Sequence, residues 1–346
     1  MVFFYFILIF YVPVKKVGTE GRKNMSEKFK TLCLDRKMYE VEGKTFTQVL
    51  ERLDPSENYC GSTLEGLDAF ERQLKRFGIR TSGSNSDVLE KFFQTNTSSI
   101  LFPEFVRRTV KEGIESAEKT SKIVATTTMI DSMDYRSIAT IPVEDDINSL
   151  QEINIKTKSN LAKLHKRGKR LNCSYEALRF QRLDLFAVSL RKIGVYIAKA
   201  QFKDAINVII NGDGENNWAE QINSSSIFAN PYTNIELLSK HLSPFDLTTM
   251  IFFAPSLKEY YKTKEIVSQN TSSSDSLKNI LYVPEKDSGD IIGLDKNCAL
   301  EMVKVGDVQV EHDLLIDRQF ERTSIYAIAG FSKIWNDACK IVTPII

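Results

Sequence analysis

Apolar residues recur along this chain with two different periods, and those periods divide it into elements. In GLDAFERQLKRFGIR, Leu67, Phe70, Leu74 and Phe77 fall three and four residues apart, which predicts an amphipathic helix seeking a partner. The polar stretch TSGSNSD, Thr81 to Asp87, ends it and marks a candidate boundary or hinge. After a short helix-like start at Val88 to Phe93, SSILFPEFVRRTVKEGIESAEKTSKIV reads as an apolar arm broken by Pro103, then a helix, then a strand. Between Thr126 and Lys156, β-branched and polar residues alternate around the acidic VEDDIN, which predicts two long strands in a hairpin. A two-stranded arm is marginal by itself, so it is expected to pack outside its own domain.

The longest signal runs from Tyr175 to Ile210, which holds no proline, with Ser174 at an N-cap position and Gly212 at a C-cap position. It predicts one helix of roughly 50 Å, or two with a bend. Leu183, Phe186, Leu190, Ile193, Ile197 and Ala200 form its buried stripe, and Lys192, Lys199 and Lys203 its wet one. A helix of that length is expected to back a sheet. From Trp218 to about Ala299 short helices (NIELLSKHL, PSLKEYYKTKEI) alternate with short apolar strands (TMIFFAP, NILYVP, DIIGL), an α+β pattern. The end of the chain predicts two long antiparallel strands meeting near Arg322 to Ser324 and pairing under the long helix.

With 346 residues, 42% hydrophobic and 26% charged, the chain falls among ordinary globular proteins, with length enough for about two units. A net charge of +1 supplies no overall basic field for nucleic-acid phosphates, which lowers a sequence-specific DNA-binding reading. The five cysteines (Cys33, Cys60, Cys173, Cys298, Cys339) make no C-x-x-C pair and fit structural thiols in a reducing cytoplasm. The three histidines, His165, His241 and His312, stand beside no plausible nucleophile, and neither H-E-x-x-H nor G-x-S-x-G occurs. The opening MVFFYFILIFYVPV is shorter than the ~20 residues a membrane helix needs, and its Lys15 and Lys16 follow the apolar run where a secretory signal would carry charge before it. Residues 1–24 are therefore expected to be a mis-annotated extension, with translation starting at Met25. Glu20 to Asn24 can be encoded as a purine-rich ribosome-binding sequence just upstream.

Taken in order, SSILFPEFV, the hairpin arm, LNCSYEALRFQRLDLFAVSLRKIGVYIAKAQFKDAINVIINGDG, TTMIFFAPSLKEYY, IIGLDKNCALEM and LIDRQFERTSIYAIAGFSKIWNDA resemble major capsid proteins of tailed bacteriophages with the Hong Kong 97-type fold, over roughly Asp87 to Ala338. The resemblance implies an α+β Hong Kong 97-like capsid fold. Its parts would be a helical N-terminal assembly segment (25–87), an N-arm (88–125), an extended loop reaching a neighbouring subunit (126–160), a peripheral domain with a long spine helix (161–213 and 300–346) and an axial domain (214–299). It implies self-assembly through hexamers and pentamers into an icosahedral shell, in a virion built in the bacterial host cytoplasm. Scaffold, maturation protease and portal are the implied protein partners. Packaged DNA would be held by non-specific contact only, and no membrane is implied. A nanocompartment shell shares the fold and is the alternative; an enzyme with an unrecognised site is the reading from another class.

No residue is assigned a catalytic, cofactor-binding or metal-binding role, and no cofactor is expected. KLHKRGKR, Lys163 to Arg170, could bind phosphate, but no aromatic residues interleave to stack bases. The plainer reading is preferred: a solvated strand face, or a basic strip meeting an acidic partner such as Glu144, Asp145 and Asp146 of a neighbouring subunit. Those three adjacent carboxylates are poorly placed to converge on a metal. NGDGENN resembles a calcium loop in its alternating Asn211, Asp213 and Glu215, but Ile222 stands where the closing glutamate belongs, so a helix-stop loop is expected. Lys156, Lys158 and Asn336 lie in regions where some capsid relatives cross-link, yet no matching motif carries that chemistry over.

Overall fold

The computed structural model describes residues 46–93, 98–130, 163–214, 217–224, 231–254, 256–269, 277–287, 289–315 and 320–344. The expectations for the start at Met25, for most of the extended loop with its VEDDIN turn, and for Lys156 and Lys158 fall outside these residues. The chain divides into two compact units between Arg80 and Thr81.

In the first unit α1 (Phe46–Leu53) packs against α2 (Ala69–Arg76). Asp68 and Glu71 close a capping box at the start of α2: the Glu71 N–H donates to Asp68 Oδ1 at 2.9 Å, and the Asp68 N–H to Glu71 Oε2 at 3.0 Å. Phe70 and Leu74 are buried as their spacing predicts, opposite Phe46, Val49 and Leu50 of α1's own buried row. The periodicity gave no hint of Arg72, whose side chain is wholly buried. Its Nε donates to Asp54 Oδ2 at 3.1 Å and its Nη1 to Ser56 Oγ at 2.9 Å, Nη2 reaches the Asp54 carbonyl, and the guanidinium lies 4.5 Å from the centre of the Tyr59 ring. A buried cation is tolerated where its donors all meet acceptors.

The second unit begins with a pairing of Val88 to Arg182 and then α3 (Ser98–Glu115). The apolar arm broken by Pro103 is a correction: Pro103 lies inside α3, one turn from its start. The missing proline N–H costs a helical hydrogen bond, but Leu101, Phe102, Phe105, Val106 and Val110 make a buried row that only a helix aligns. Nor does the segment project, because α3 lies along the long helix of its own chain.

Next come β1 (Thr126–Ile130), β2 (His165–Ser174), α4 (Tyr175–Phe180) and α5 (Leu183–Asn211). The predicted long helix is thus two, with Gln181 and Arg182 extended between them. The break is held from outside: the Leu89 N–H donates to the Gln181 carbonyl at 2.8 Å, and the Leu183 N–H to the Asp87 carbonyl at 2.9 Å. Ser174 Oγ accepts from the Ala177 N–H at 3.2 Å, and Gly212 stops α5 with φ of 79°. Leu183, Phe186, Leu190, Ile193 and Ile197 are buried, while Ala200 is half-buried. Where α3 crosses α5, the two backbones touch. A Cβ on Gly194 would stand 2.1 Å from the Val110 carbonyl oxygen, and one on Gly113 2.3 Å from that of Arg191.

The remaining elements are β3 (Glu220–Ser224), α6 (Pro231–Leu242), β4 (Thr249–Ala254), α7 (Leu257–Gln269), β5 (Asn279–Asp287), β6 (Ile291–Leu294), β7 (Leu300–Leu315), β8 (Phe320–Lys333) and β9 (Cys339–Pro344). One sheet has the order β1-β7-β8-β2, the other β3-β9-β6-β4-β5. β7 and β8 pair antiparallel, but the strands end at Leu315 and restart at Phe320, so Arg322 to Ser324 are ladder residues and not the turn. Their polarity belongs to cross-strand pairing: Arg322 Nη2 meets Asp313 Oδ2 at 2.8 Å.

The tail divides between the sheets: β7 and β8 lie in the first, and β9 pairs with β3 and β6 in the other. A short 3-10 turn at Asn336–Ala338 carries the chain across, and its Ala338 carbonyl accepts from the Asp295 N–H at 2.9 Å. Side-chain alternation along β4 explains why both faces of this sheet are dry. Met250 and Phe252 join Leu238 and Leu242 of α6, whereas Ile251 and Phe253 join Phe202 and Ile206 of α5 and Met302 and Phe331 of the first sheet. That second cluster makes the two sheets and α5 share one core.

Candidate functional site

Among the described residues the nearest approach to a catalytic constellation lies at the end of the first sheet. Cys173 of β2 and Glu321 of β8 are cross-strand partners, and His312 of β7 places Nε2 3.9 Å from Glu321 Oε2 and Nδ1 3.0 Å from Thr323 Oγ1. Phe93 stacks on the imidazole and Phe102 meets it edge-on. Burial pushes the Glu321 carboxyl up to about 7 and the His312 imidazole down. Burial, and then the charge of Glu321, push the Cys173 thiol up. An activated nucleophile needs the opposite, a depressed thiol beside a charged partner. The cluster therefore packs the sheet end and holds no activated thiol.

His165 and His241 are exposed. Cys60, Cys173, Cys298 and Cys339 are free thiols, with burial raising Cys298 and Cys339. No group of His, Cys, Asp or Glu among the described residues is placed to hold a metal, and no described helix is long and apolar enough to cross a membrane. In NGDGENN, the Asp213 carboxylate accepts from the Lys333 N–H at 3.1 Å and its own N–H donates to Asn217 Oδ1 at 3.0 Å, which ties the stop of α5 to β8. Asn336 sits in the turn before β9.

The surfaces are more informative. The basic run becomes β2, an edge strand whose cations rest on neighbours. Arg167 binds Asp204 of α5 through both ends of its guanidinium, at 2.8 and 2.6 Å. Lys166 lies 3.4 Å from the Tyr326 ring centre and Lys169 4.2 Å from that of Tyr196. Gly168 is needed here, since a Cβ would stand 2.1 Å from the Ile325 carbonyl oxygen. Beside this strand a groove of about 830 Å³ runs between α5 and the β4–β5 edge, floored by Phe202, Ile206, Ile210, Phe253 and Val283. Lys119, Lys199, Lys203 and the paired Arg167 stand on its rim.

Large apolar side chains also face outward: Phe180 is 81% exposed, Tyr261 61% and Leu185 58%. Residue-by-residue reading passed over these. Leu185, Val188 and Tyr196 lie off the buried stripe of α5, and that surplus was the available signal.

No family model matches the chain, and no curated protein does. Solved structures do match. The subunit of a virus-like particle from Pyrococcus furiosus is 16% identical with a TM-score of 0.50, over 70% of this chain and 99% of that one. The capsid of the cyanophage P-SCSP1u is 10% identical, TM-score 0.43, over 66% of this chain and 89% of that one. The SrpI encapsulin of Synechococcus elongatus PCC 7942 is 7% identical, TM-score 0.44, over 64% and 85%. The first of these carries the assignment: the chain has the α+β, Hong Kong 97-like capsid fold. In that fold it resembles the major capsid proteins of tailed phages.

Proposed function

We propose that this chain is a major capsid protein of a tailed double-stranded DNA phage or prophage, a structural subunit that assembles with copies of itself into an icosahedral genome container. The observation that carries the proposal is the likeness over 99% of a virus-like-particle subunit. Outward-facing Phe180, Leu185 and Tyr261 support it, since large apolar side chains on a surface are stable when copies cover them.

On this reading α5 is the spine helix, and β2, β7 and β8 form the peripheral sheet. The sheet of β3 to β6, completed by β9, is the axial domain. Residues 88–125 take the N-arm position, here largely as α3. Residues 126–160 are the extended loop, and 25–87, including the α1–α2 unit, an assembly segment. Scaffold, protease and portal are partners in the host cytoplasm, and DNA is held without sequence preference.

Electron microscopy and light scattering of the purified protein test the proposal. Closed particles tens of nanometres across are expected, because a shell subunit closes large symmetric assemblies. A discrete small oligomer under all conditions refutes it. Particles filled with one protein and free of nucleic acid would transfer the chain to the nanocompartment alternative.

A further inference from the structure

Two polar side chains occupy positions that their elements otherwise give to the core. On α5, Gln201 follows Ile197 by one turn in the buried stripe and is itself only 3% exposed. On β7, Leu300 and Met302 are wholly buried, and Lys304 is the next residue on that face of the strand. Both line one cavity of about 90 Å³, closed by the end of α3 at Glu115 and by the turn that carries Ser121 and Lys122.

The polar groups around this cavity lack partners. Neither the Gln201 amide nor the ammonium of Lys304 or Lys122 makes a hydrogen bond or ion pair with any described residue. Asp307, three residues along β7, is engaged elsewhere, by Arg107 at 3.1 Å and by Lys111 at 3.2 Å. Glu115 is exposed and stays beyond ion-pair distance of both lysines. Ser121 Oγ donates to Met302 Sδ at 3.0 Å. Burial, and then the charge of Lys122, push the Lys304 ammonium down from its ordinary value. An inward ammonium beside a second cation, and an enclosed amide with nothing to bond, are unfavourable unless an anion joins them. Water satisfies the amide but leaves the two like charges facing one space.

We infer that this cavity binds a phosphate-class oxyanion, held by Lys304 and Lys122 and by the amide N–H of Gln201. Two cations and a neutral donor match a compact, multiply charged oxyanion. A metal ion would be repelled by both lysines. The bound anion ties the end of α3 to α5 and β7. The inference does not depend on the shell reading, and either can fail alone.

The test titrates full-length protein in chloride buffer with inorganic phosphate at constant ionic strength, read by calorimetry and by the urea midpoint. A single saturable site per chain is expected, with the midpoint rising as it fills. Lys304→Met should weaken phosphate binding by roughly tenfold or more, the loss of one charged hydrogen bond. In chloride alone it should be at least as stable as wild type, since no inward ammonium remains. Phosphate should then raise the wild-type midpoint and leave that of Lys304→Met unchanged. Gln201→Leu keeps both cations, completes the apolar stripe and should weaken binding severalfold; it carries the test if Lys304→Met does not fold. Lys199→Ala, on α5 but outside the cavity, should bind phosphate as wild type does.

Phosphate that acts no differently from chloride overturns the inference. So does saturable binding that survives both Lys304→Met and Gln201→Leu, which would be an adventitious ion only. Competition then names the source of the phosphate group. A short single-stranded DNA that displaces phosphate from wild type, and not from Lys304→Met, assigns the site to nucleic-acid phosphate; DNA that leaves phosphate bound assigns it to the free ion.

Discussion

Replacing Gly194 with Ala probes the crossing on which the second unit is built. The added Cβ would sit 2.1 Å from the Val110 carbonyl oxygen and 2.8 Å from the Ile114 nitrogen, both backbone atoms of α3 that cannot rotate away. Relief requires the helices to part by about 1 Å, since carbon and oxygen rest near 3.2 Å or more. That movement slackens the whole row of Phe102, Phe105, Val106 and Val110 against α5. Overpacking of this kind costs roughly 1 to 3 kcal/mol, and loosening of the row adds to it. Alanine returns up to about 1 kcal/mol through its better helix propensity. The expected net loss is about 2 to 3 kcal/mol, read as a lower urea midpoint at unchanged slope in unassembled subunits. Adding Gly113→Ala to Gly194→Ala should cost less than the sum of the singles, because the first substitution already parts the helices. A neutral or stabilised Gly194→Ala protein would show that α3 does not lie against α5 at these glycines.

The other predictions concern single positions. Leu190→Ala or Ile197→Ala, each fully buried, should lose about 2 to 5 kcal/mol in the same melts, and Lys199→Ala under about 0.5. Equal effects would misplace the buried face of α5. Burial holds the Glu321 carboxyl at about 7, above its unfolded value near 4.5, so the folded state retains the proton longer. That stability is present below pH 4.5 and is lost as pH rises towards and through 7. Glu321→Gln should match wild type near pH 4.5 and exceed it at pH 8 by up to about 3 kcal/mol. The opposing slope of His312 is common to both proteins, so a difference that does not grow with pH would refute the assignment. Arg72→Met should strip about 1 to 3 kcal/mol from the first unit, because Asp54 keeps Arg76 and Tyr59 as partners while its carbonyl and Ser56 Oγ lose theirs, seen as faster amide exchange over residues 46–80. Unchanged exchange there would mean that the guanidinium cluster is incidental.

Periodic elements were legible because their signal is local. The stripe from Leu183 to Ile197, the caps at Ser174 and Gly212, and the alternation of short strands and helices after Trp218 can each be read within a few turns of chain, and the order of these elements carried the fold resemblance. Pro103 misled for the same local reason. A rule about one residue was weighed above the apolar row from Leu101 to Val110, whose burial depends on α5, more than seventy positions away. The split of the long helix was equally distant, since Gln181 and Arg182 are strong helix neighbours held extended by the backbone of Asp87 and Leu89.

The groove shows where local reading ends. Lys199 and Lys203 were assigned to a wet helix face, and Phe253 and Val283 to apolar strands, each correctly and each without consequence until folding sets them around one space. The sequence by itself determined the periods, the caps and the sites where charge accumulates, because these depend on neighbours a few bonds away. Tertiary structure decided which helix lies on which, that β9 crosses to the second sheet, and that a basic strand and an apolar floor share a groove. Those are set by contacts between residues distant in sequence, where two glycines permit an approach that no single-residue preference records.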